Sequence, residues 1–223
     1  MTINIDSNQF SRRERKAAAT RVGLVQALAE RLDARSLDAI SVRELAEAVD
    51  VSDATFFNYF ATKLELALYF IQLWSLDVGA RAEQALAEGS VRQAVDEVFN
   101  VTAAGVRERP GLFGEIIAVQ ARLPADAAWR DVPLLDRLLV WPDRPEVLAQ
   151  SGQGLDGLFP RLIAEAVARG ELPPDADQSA GLLGLVSIFF GVPLVLARRA
   201  PEAVQGAYAH QLRLWWRAHG GDG

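Results

Sequence analysis

Apolar residues recur every three to four positions along most of this chain, and strand-like alternation is almost absent, which restricts it to helices. Val22, Val25, Leu28 and Leu32 mark one such face, and Val42, Leu45, Ala46 and Val49 a second. Leu64, Leu68, Ile71, Trp74 and Val78 extend a third over a longer span. Start signals coincide with these faces. Ser41-Val42-Arg43-Glu44 and Thr62-Lys63-Leu64-Glu65 have the capping-box pattern, and Ser90-Val91-Arg92-Gln93 has its glutamine version. In each, the hydroxyl accepts an orphan N–H of the first turn and the longer side chain reaches back to the cap. The expected helices are 12–34, 41–49, 53–60, 62–87, 90–108, 112–122, 155–169, 178–199 and 203–218. The stretch 123–154 carries Pro124, Pro133, Pro142, Pro145, Gly152 and Gly154, and reads as loop with one short helix near 133–140. The fold class is all-α.

Composition removes several kinds of chemistry. A chain of 223 residues buries a core without staples, and with no cysteine there is no disulfide framework, cysteine-based zinc site or thiol nucleophile. The two histidines, His210 and His219, are nine apart, off the spacing that lets helical residues share a face. No metal and no cofactor is expected. Gly152-Gln153-Gly154-Leu155-Asp156-Gly157 matches a dinucleotide fingerprint formally, but no strand precedes it, so it reads as a loop leading into a helix. No set of convergent polar residues argues for an enzyme. The start, MTINIDSNQFSRRERK, lacks the apolar segment of a secretory signal, so a cytoplasmic location is expected.

From Ala180 to Ala197 eighteen residues carry no charge, the lower edge of a membrane-spanning length. Its glycines and Pro193 favour a helix buried in a core or subunit interface over a membrane span. A net charge of −6 argues by itself against a nucleic-acid partner, yet total charge says nothing of where charges sit. Split at residue 72, the balance is −1 before and −5 after. The −1 conceals a local +4 from Phe10 to Arg21, where Arg12, Arg13, Arg15, Lys16 and Arg21 face Glu14 alone. These basic residues form a candidate phosphate-binding arm, and the acidity of the remainder limits non-specific DNA adhesion.

Beside that arm, two short helices between 41 and 60 are joined by Asp50-Val51-Ser52, the plan of a helix-turn-helix. Phe56 and Phe60, four apart, anchor the second helix to the core, while Ala54, Thr55 and Asn58 point outward with Phe57 and Tyr59 on the flanks. Small and hydrogen-bonding residues at the start of a helix suit contact with base edges in a major groove. Arg43 and Lys63 add cations in the first turns of their helices, whose N-termini also favour phosphate. Arg43 fits a surface cation or a DNA contact, and the second is favoured because arginine is the commonest reader of guanine. Asp53 fits a helix-dipole partner or an acceptor for a cytosine amino group.

The segment ISVRELAEAVDVSDATFFNYFATKLEL, residues 40–66, resembles the DNA-binding domain of the TetR family of bacterial transcriptional regulators. The matching features are Ser41, Leu45-Ala46, Val51-Ser52, the aromatic run from Thr55 to Phe60, and Thr62-Lys63. The resemblance implies phosphate contacts from Val42, Thr55, Tyr59 and Lys63, and base contacts from Arg43, Asp53 and Asn58. Two residues depart from the pattern. The family usually has tyrosine where Phe57 stands, and a glycine is common in the turn where Asp50 stands.

The same resemblance implies an N-terminal three-helix helix-turn-helix domain with its basic arm over 1–62, and a helical ligand-binding and dimerisation domain over 63–223. In the family the last two helices pair with their copies in a second subunit. The uncharged run fits that role, with Val204, Tyr208, Leu212 and Trp215 as a matching stripe. Inducer pockets of the family lie among the middle helices, where Phe99, Thr102, Phe113, Ile117, Gln120, Trp129, Trp141, Phe159 and Phe189 are candidate linings. Few charged positions occur there, so a small apolar or aromatic effector is expected. The expected partners are a double-stranded DNA operator, a second copy of the chain and that effector, with no membrane. The reading is a ligand-responsive repressor released from a palindromic operator; the competing ones are a helical-bundle enzyme and a membrane-associated helical protein.

Overall fold

In the computed structural model, which describes residues 9–123, 131–150 and 154–221, the described residues form helices, turns and loops with no strand. The first helix, α1 (Arg12–Leu32), opens on a capping box that the sequence carries as Ser11-Arg12-Arg13-Glu14. The Glu14 N–H donates to the Ser11 hydroxyl at 3.2 Å, and the Ser11 N–H donates to the Glu14 carboxylate at 2.7 Å. Arg12, Arg13, Arg15 and Lys16 therefore form the exposed opening turns of this helix, as the expected start at residue 12 implies. A 3-10 turn at Leu37–Ala39 leads to α2 (Val42–Ala48) and α3 (Asp53–Tyr59). There follow α4 (Lys63–Glu88), α5 (Val91–Glu108), α6 (Pro110–Gln120), α7 (Leu134–Val140) and α8 (Pro145–Leu148). Then come α9 (Gly154–Ala168), α10 (Gln178–Leu196), a 3-10 turn at Pro201–Ala203 and α11 (Val204–Ala218).

Departures from the expected bounds have local causes. Helix α6 begins at Pro110, two residues early, because a proline without an N–H is at no disadvantage in a first turn. Helix α10 stops at Leu196, where the N–H groups of Arg199 and Ala200 both turn back to its carbonyl ahead of Pro201. At the start of α4 the Glu65 N–H donates to the Thr62 hydroxyl, but the Glu65 carboxylate takes the Ala61 N–H, one residue before the expected cap.

The chain divides into two compact units, residues 1–77 with 118–152, and 78–117 with 153–223. In the first, α1 packs on α2 and α7, and α2 on α3. Its core holds Ala18, Leu28, Leu45, Phe56, Phe60 and Leu66. The middle stretch that reads as loop contributes α7 and α8, and a buried arginine organises it. The Arg137 guanidinium donates to the carbonyls of Val132, Leu148 and Gln150 and to the Asp131 carboxylate, replacing regular pairing over an irregular path. Beside it, the buried Asp136 carboxylate accepts from Arg21 on α1 and from the Tyr69 hydroxyl on α4. Arg21 is thus committed inward and does not belong to the exposed basic face.

In the second unit α5, α9, α10 and α11 pack together. Its centre is an aromatic cluster in which the Phe99 ring lies 5.9 Å from Phe159, 5.6 Å from Phe189 and 4.8 Å from Tyr208. The Tyr208 hydroxyl donates to the Phe189 carbonyl at 2.7 Å, so the polar end is satisfied where the ring is buried. The Glu171 carboxylate caps α5 from a distance, accepting the N–H groups of Val91 and Arg92. Two of the three glycines of α10 serve this unit itself, while Gly191 faces open space: Trp215 donates its indole N–H to the Gly181 carbonyl, and a Cβ at Gly184 would lie 2.9 Å from the same ring. Val204, Tyr208, Leu212 and Trp215 are all buried against their own chain, which corrects the expectation that this stripe is held for a partner. The exposed apolar positions are instead Leu183, Leu194 and Val195 on α10 and Leu214 on α11.

Candidate nucleic-acid interface

The angle between α2 and α3 is set by a turn whose backbone bonds close the end of α2. The Val51 N–H donates to the Ala46 carbonyl and the Asp50 N–H to the Glu47 carbonyl, a pattern that needs a left-handed residue between them. Asp50 supplies it at φ +54°, a conformation that aspartate tolerates better than most side chains. Ser52 then caps α3, accepting the Thr55 N–H at 3.2 Å, and its hydroxyl lies 3.0 Å from the Thr55 hydroxyl. Phe56 is fully buried and Phe60 nearly so, and this anchoring turns Asp53, Ala54, Phe57 and Asn58 to solvent. Phe57 is 54% exposed and edge-on to Phe56, an apolar ring on the outward side of the helix.

The other expected contact residues fall around this helix with different surroundings. Val42 opens α2 and is half-buried, as are Thr55 and Tyr59. Arg43 is exposed and pairs with Glu47 one turn on, an ion pair that solvent screens and a stronger anion can displace. The Lys63 ammonium donates to the carbonyls of Leu37 at 2.8 Å and Ile40 at 2.5 Å, clamping the turn that precedes α2.

The Ser41 box is reinforced by a residue that no local pattern indicates. Arg35 pairs with Glu44 at 2.7 Å, and together with the Ser41 N–H and hydroxyl it holds the Glu44 carboxyl down to about 2. A carboxyl depressed in the folded state from 4.5 contributes stability that is complete above that pH and is lost as pH falls toward 2. The expected result is that acidification from pH 5 to pH 2 lowers the thermal midpoint less in Glu44→Gln than in the wild type. Parallel midpoint curves would remove this role.

The candidate effector residues are distributed over both units. Phe99, Thr102, Phe159 and Phe189 are buried in the second unit, with the Thr102 hydroxyl returned to the Val98 carbonyl of its own helix. Phe113 packs over Gly105, and Ile117 is half-buried. Gln120 and Trp141 belong to the first unit, and Trp129 lies outside the described residues. Within the second unit a cavity of about 240 Å3 is bounded by Phe99, Tyr208 and Leu212 on its apolar side and by Arg92, Asp96, Asn100 and Arg213 on its polar side. Burial pushes the Asp96 carboxyl up against the opposing pull of Arg92. The polar set was visible as Arg92, Asp96 and Asn100, four residues apart on one face of α5.

A capped reading helix, exposed on one side and carried by an all-helical chain, defines a helix-turn-helix DNA-binding protein. Residues 24–70 match the family described as bacterial regulatory proteins, tetR family. The HTH-type transcriptional regulator TcmR of Streptomyces glaucescens is 33% identical over 186 residues, covering 83% of this chain and 75% of that protein. The chain belongs to the TetR family of transcriptional regulators. Solved structures share its fold. The fatty acid degradation regulator FadR from Bacillus halodurans superposes with a TM-score of 0.63 at 15% identity, over 91% of this chain and 97% of its own. FadR from Thermus thermophilus, in complex with lauroyl-CoA, gives 0.62 at 21% identity, over 87% and 92%. Members of the family bind DNA operators, typically as dimers and with small-molecule effectors.

Proposed function

We propose that this regulator is a cytoplasmic repressor that binds a palindromic operator as a homodimer and is released by a small apolar or aromatic molecule. The observation that carries the DNA reading is α3, whose Phe56 and Phe60 are buried while Asp53, Ala54, Phe57 and Asn58 face solvent. Residues 1–62 read DNA and residues 63–223 sense the effector and dimerise. Arg43, Asp53 and Asn58 contact bases; Val42, Thr55, Tyr59 and Lys63 contact phosphates, flanked by Arg12, Arg13, Arg15 and Lys16. The apolar residues left exposed on α10 and α11 support the dimer. Two copies related by a two-fold axis read two half-sites, which is the basis for the palindrome.

The effector site is the cavity beside the Phe99 cluster, whose apolar wall suits a ring and whose polar rim suits one hydrogen-bonding substituent. Of the neighbours, the Thermus FadR holds lauroyl-CoA and RolR holds resorcinol, the latter at a TM-score of 0.58 and 13% identity over 94% of this chain and 91% of its own. Both ligands carry apolar bodies. Effector binding favours a state in which the two reading heads are wrongly spaced, which lowers DNA affinity by typically 1–3 kcal/mol.

The test is a footprint on the DNA flanking the gene, repeated with a panel of small aromatic and acyl compounds. Protection that weakens steeply with salt and is lost with one compound class is expected. Arg43→Ala and Tyr59→Phe should each weaken specific binding by about tenfold to a hundredfold. Wild-type affinity in both variants removes their assigned contacts, and absence of a footprint overturns the repressor reading.

A further inference from the structure

The Asp136 side chain is 0% exposed, and its charge is met from outside its own segment. Arg21 Nε donates to Oδ2 at 2.8 Å and Nη2 to Oδ1 at 2.5 Å, a two-pronged pairing that fixes the guanidinium plane. The Tyr69 hydroxyl donates to Oδ2 at 2.7 Å. The guanidinium keeps 21% exposure on its other side, where its carbon lies 5.8 Å from the centroid of the Tyr59 ring. Tyr59 is the last residue of α3. The three side chains therefore run in series from α7 through α1 to the end of the reading helix, all within the first unit. A cavity of about 320 Å3 adjoins them, lined in part by Arg21, Asn58, Tyr59, Tyr69 and Pro133.

We infer that Asp136 is a positioning residue for operator recognition: through Arg21 it sets the Tyr59 ring and so the direction in which the Tyr59 hydroxyl is presented. A buried carboxylate with three donors holds one guanidinium orientation, and a cation held beneath an aromatic ring holds that ring. Without the carboxylate, Arg21 keeps an unpaired charge beside open volume. It turns toward water, and Tyr59 loses its support. The residue lies more than seventy positions beyond the helix-turn-helix, so α7 takes part in DNA reading without touching DNA. The inference rests on the reading of Tyr59 as a DNA contact.

A double-mutant cycle on the full-length protein tests it, with operator affinity measured by fluorescence anisotropy and folded fraction by circular dichroism at the same temperature. Tyr59→Phe keeps the ring and removes the hydroxyl; Asp136→Asn keeps the shape and removes the charge. Each is expected to weaken binding about tenfold, and the double variant also about tenfold, because both changes remove the same contact. Arg21→Lys, which keeps the charge and loses the fork, should match Asp136→Asn and replaces it in the cycle if that variant does not fold. A purely structural role lowers the thermal midpoint and leaves the affinity of the folded fraction unchanged, which overturns the inference. Additive losses of about a hundredfold overturn it as well, since Asp136 then acts elsewhere than on Tyr59. Failure of both Asp136→Asn and Arg21→Lys to fold assigns the network to the scaffold and also overturns it. Wild-type affinity in Tyr59→Phe alone refutes the DNA contact itself, and the inference with it, and is distinguishable because it needs no change at Asp136.

Discussion

Replacing Leu183 and Leu194 together by aspartate is expected to turn the regulator into a monomer and to cut operator affinity roughly a hundredfold or more, because the second half-site no longer binds intramolecularly. Both residues lie on α10, where they are 69% and 70% exposed, and Val195 beside them is 56% exposed. A run from Gln178 to Leu196 without a single charge has no solvated face to offer, so its outward side calls for an apolar partner. By length and composition alone the helix can span a membrane, but two of the glycines that lighten it, Gly181 and Gly184, already pack against Trp215 of the same chain. Light scattering after size exclusion should give twice 24.3 kDa for the wild type and 24.3 kDa for the double variant. Helix content should hold, since the protomer does not bury these two side chains. A wild-type monomer would falsify the dimer, and wild-type protein that sediments with membrane vesicles would favour the spanning reading.

Local features of this fold were legible because the interactions that make them are local. Ser41 and Ser90 open helices with the reciprocal bonds their spacing calls for, and Phe56 and Phe60 are buried as a pair four apart. Asp50 enters the left-handed region, as a residue standing in the glycine position must. The Ser11 box is equally local, and it opens α1 at Arg12, where the periodicity places the start of the first helix.

Interactions between distant positions left no such trace. Arg21 and Asp136 are 115 residues apart, and Tyr69 and Asp136 67 apart. Nothing in the periodicity of α1 distinguishes Arg21 from its exposed neighbours. Composition even points the wrong way, because a charged residue is expected outside unless a partner is known. The same holds for Arg137, which folds a proline-rich stretch by bonding its carbonyls, and for Glu171, which caps α5 from 80 residues downstream. Part of the candidate effector lining is packed core for a related reason. Aromatic spacing marks which face of a helix is buried but not whether the burial leaves a void, and here Phe99, Phe159 and Phe189 fill one another's space.

That filled cluster fixes what a change at Phe99 does. Phe99→Ala removes a ring 1% exposed that touches Phe159, Phe189 and Tyr208, and large-to-small changes of this kind cost roughly 3–5 kcal/mol. The thermal midpoint should fall by about 10 °C, while Phe99→Leu, which keeps most of the volume, should lose much less. Scanning calorimetry distinguishes the two, and a drop of under about 2 °C in the alanine variant would show that the cluster is not the core of the second unit. The same substitution separates packing from sensing. Phe99 also forms a wall of the 240 Å3 cavity, so below its lowered midpoint the folded variant should need more effector for release from DNA. Its operator affinity without effector should match the wild type, because the reading helix and its supports belong to the other unit. An unchanged effector requirement in folded Phe99→Ala moves the effector away from this cavity and leaves the DNA reading intact.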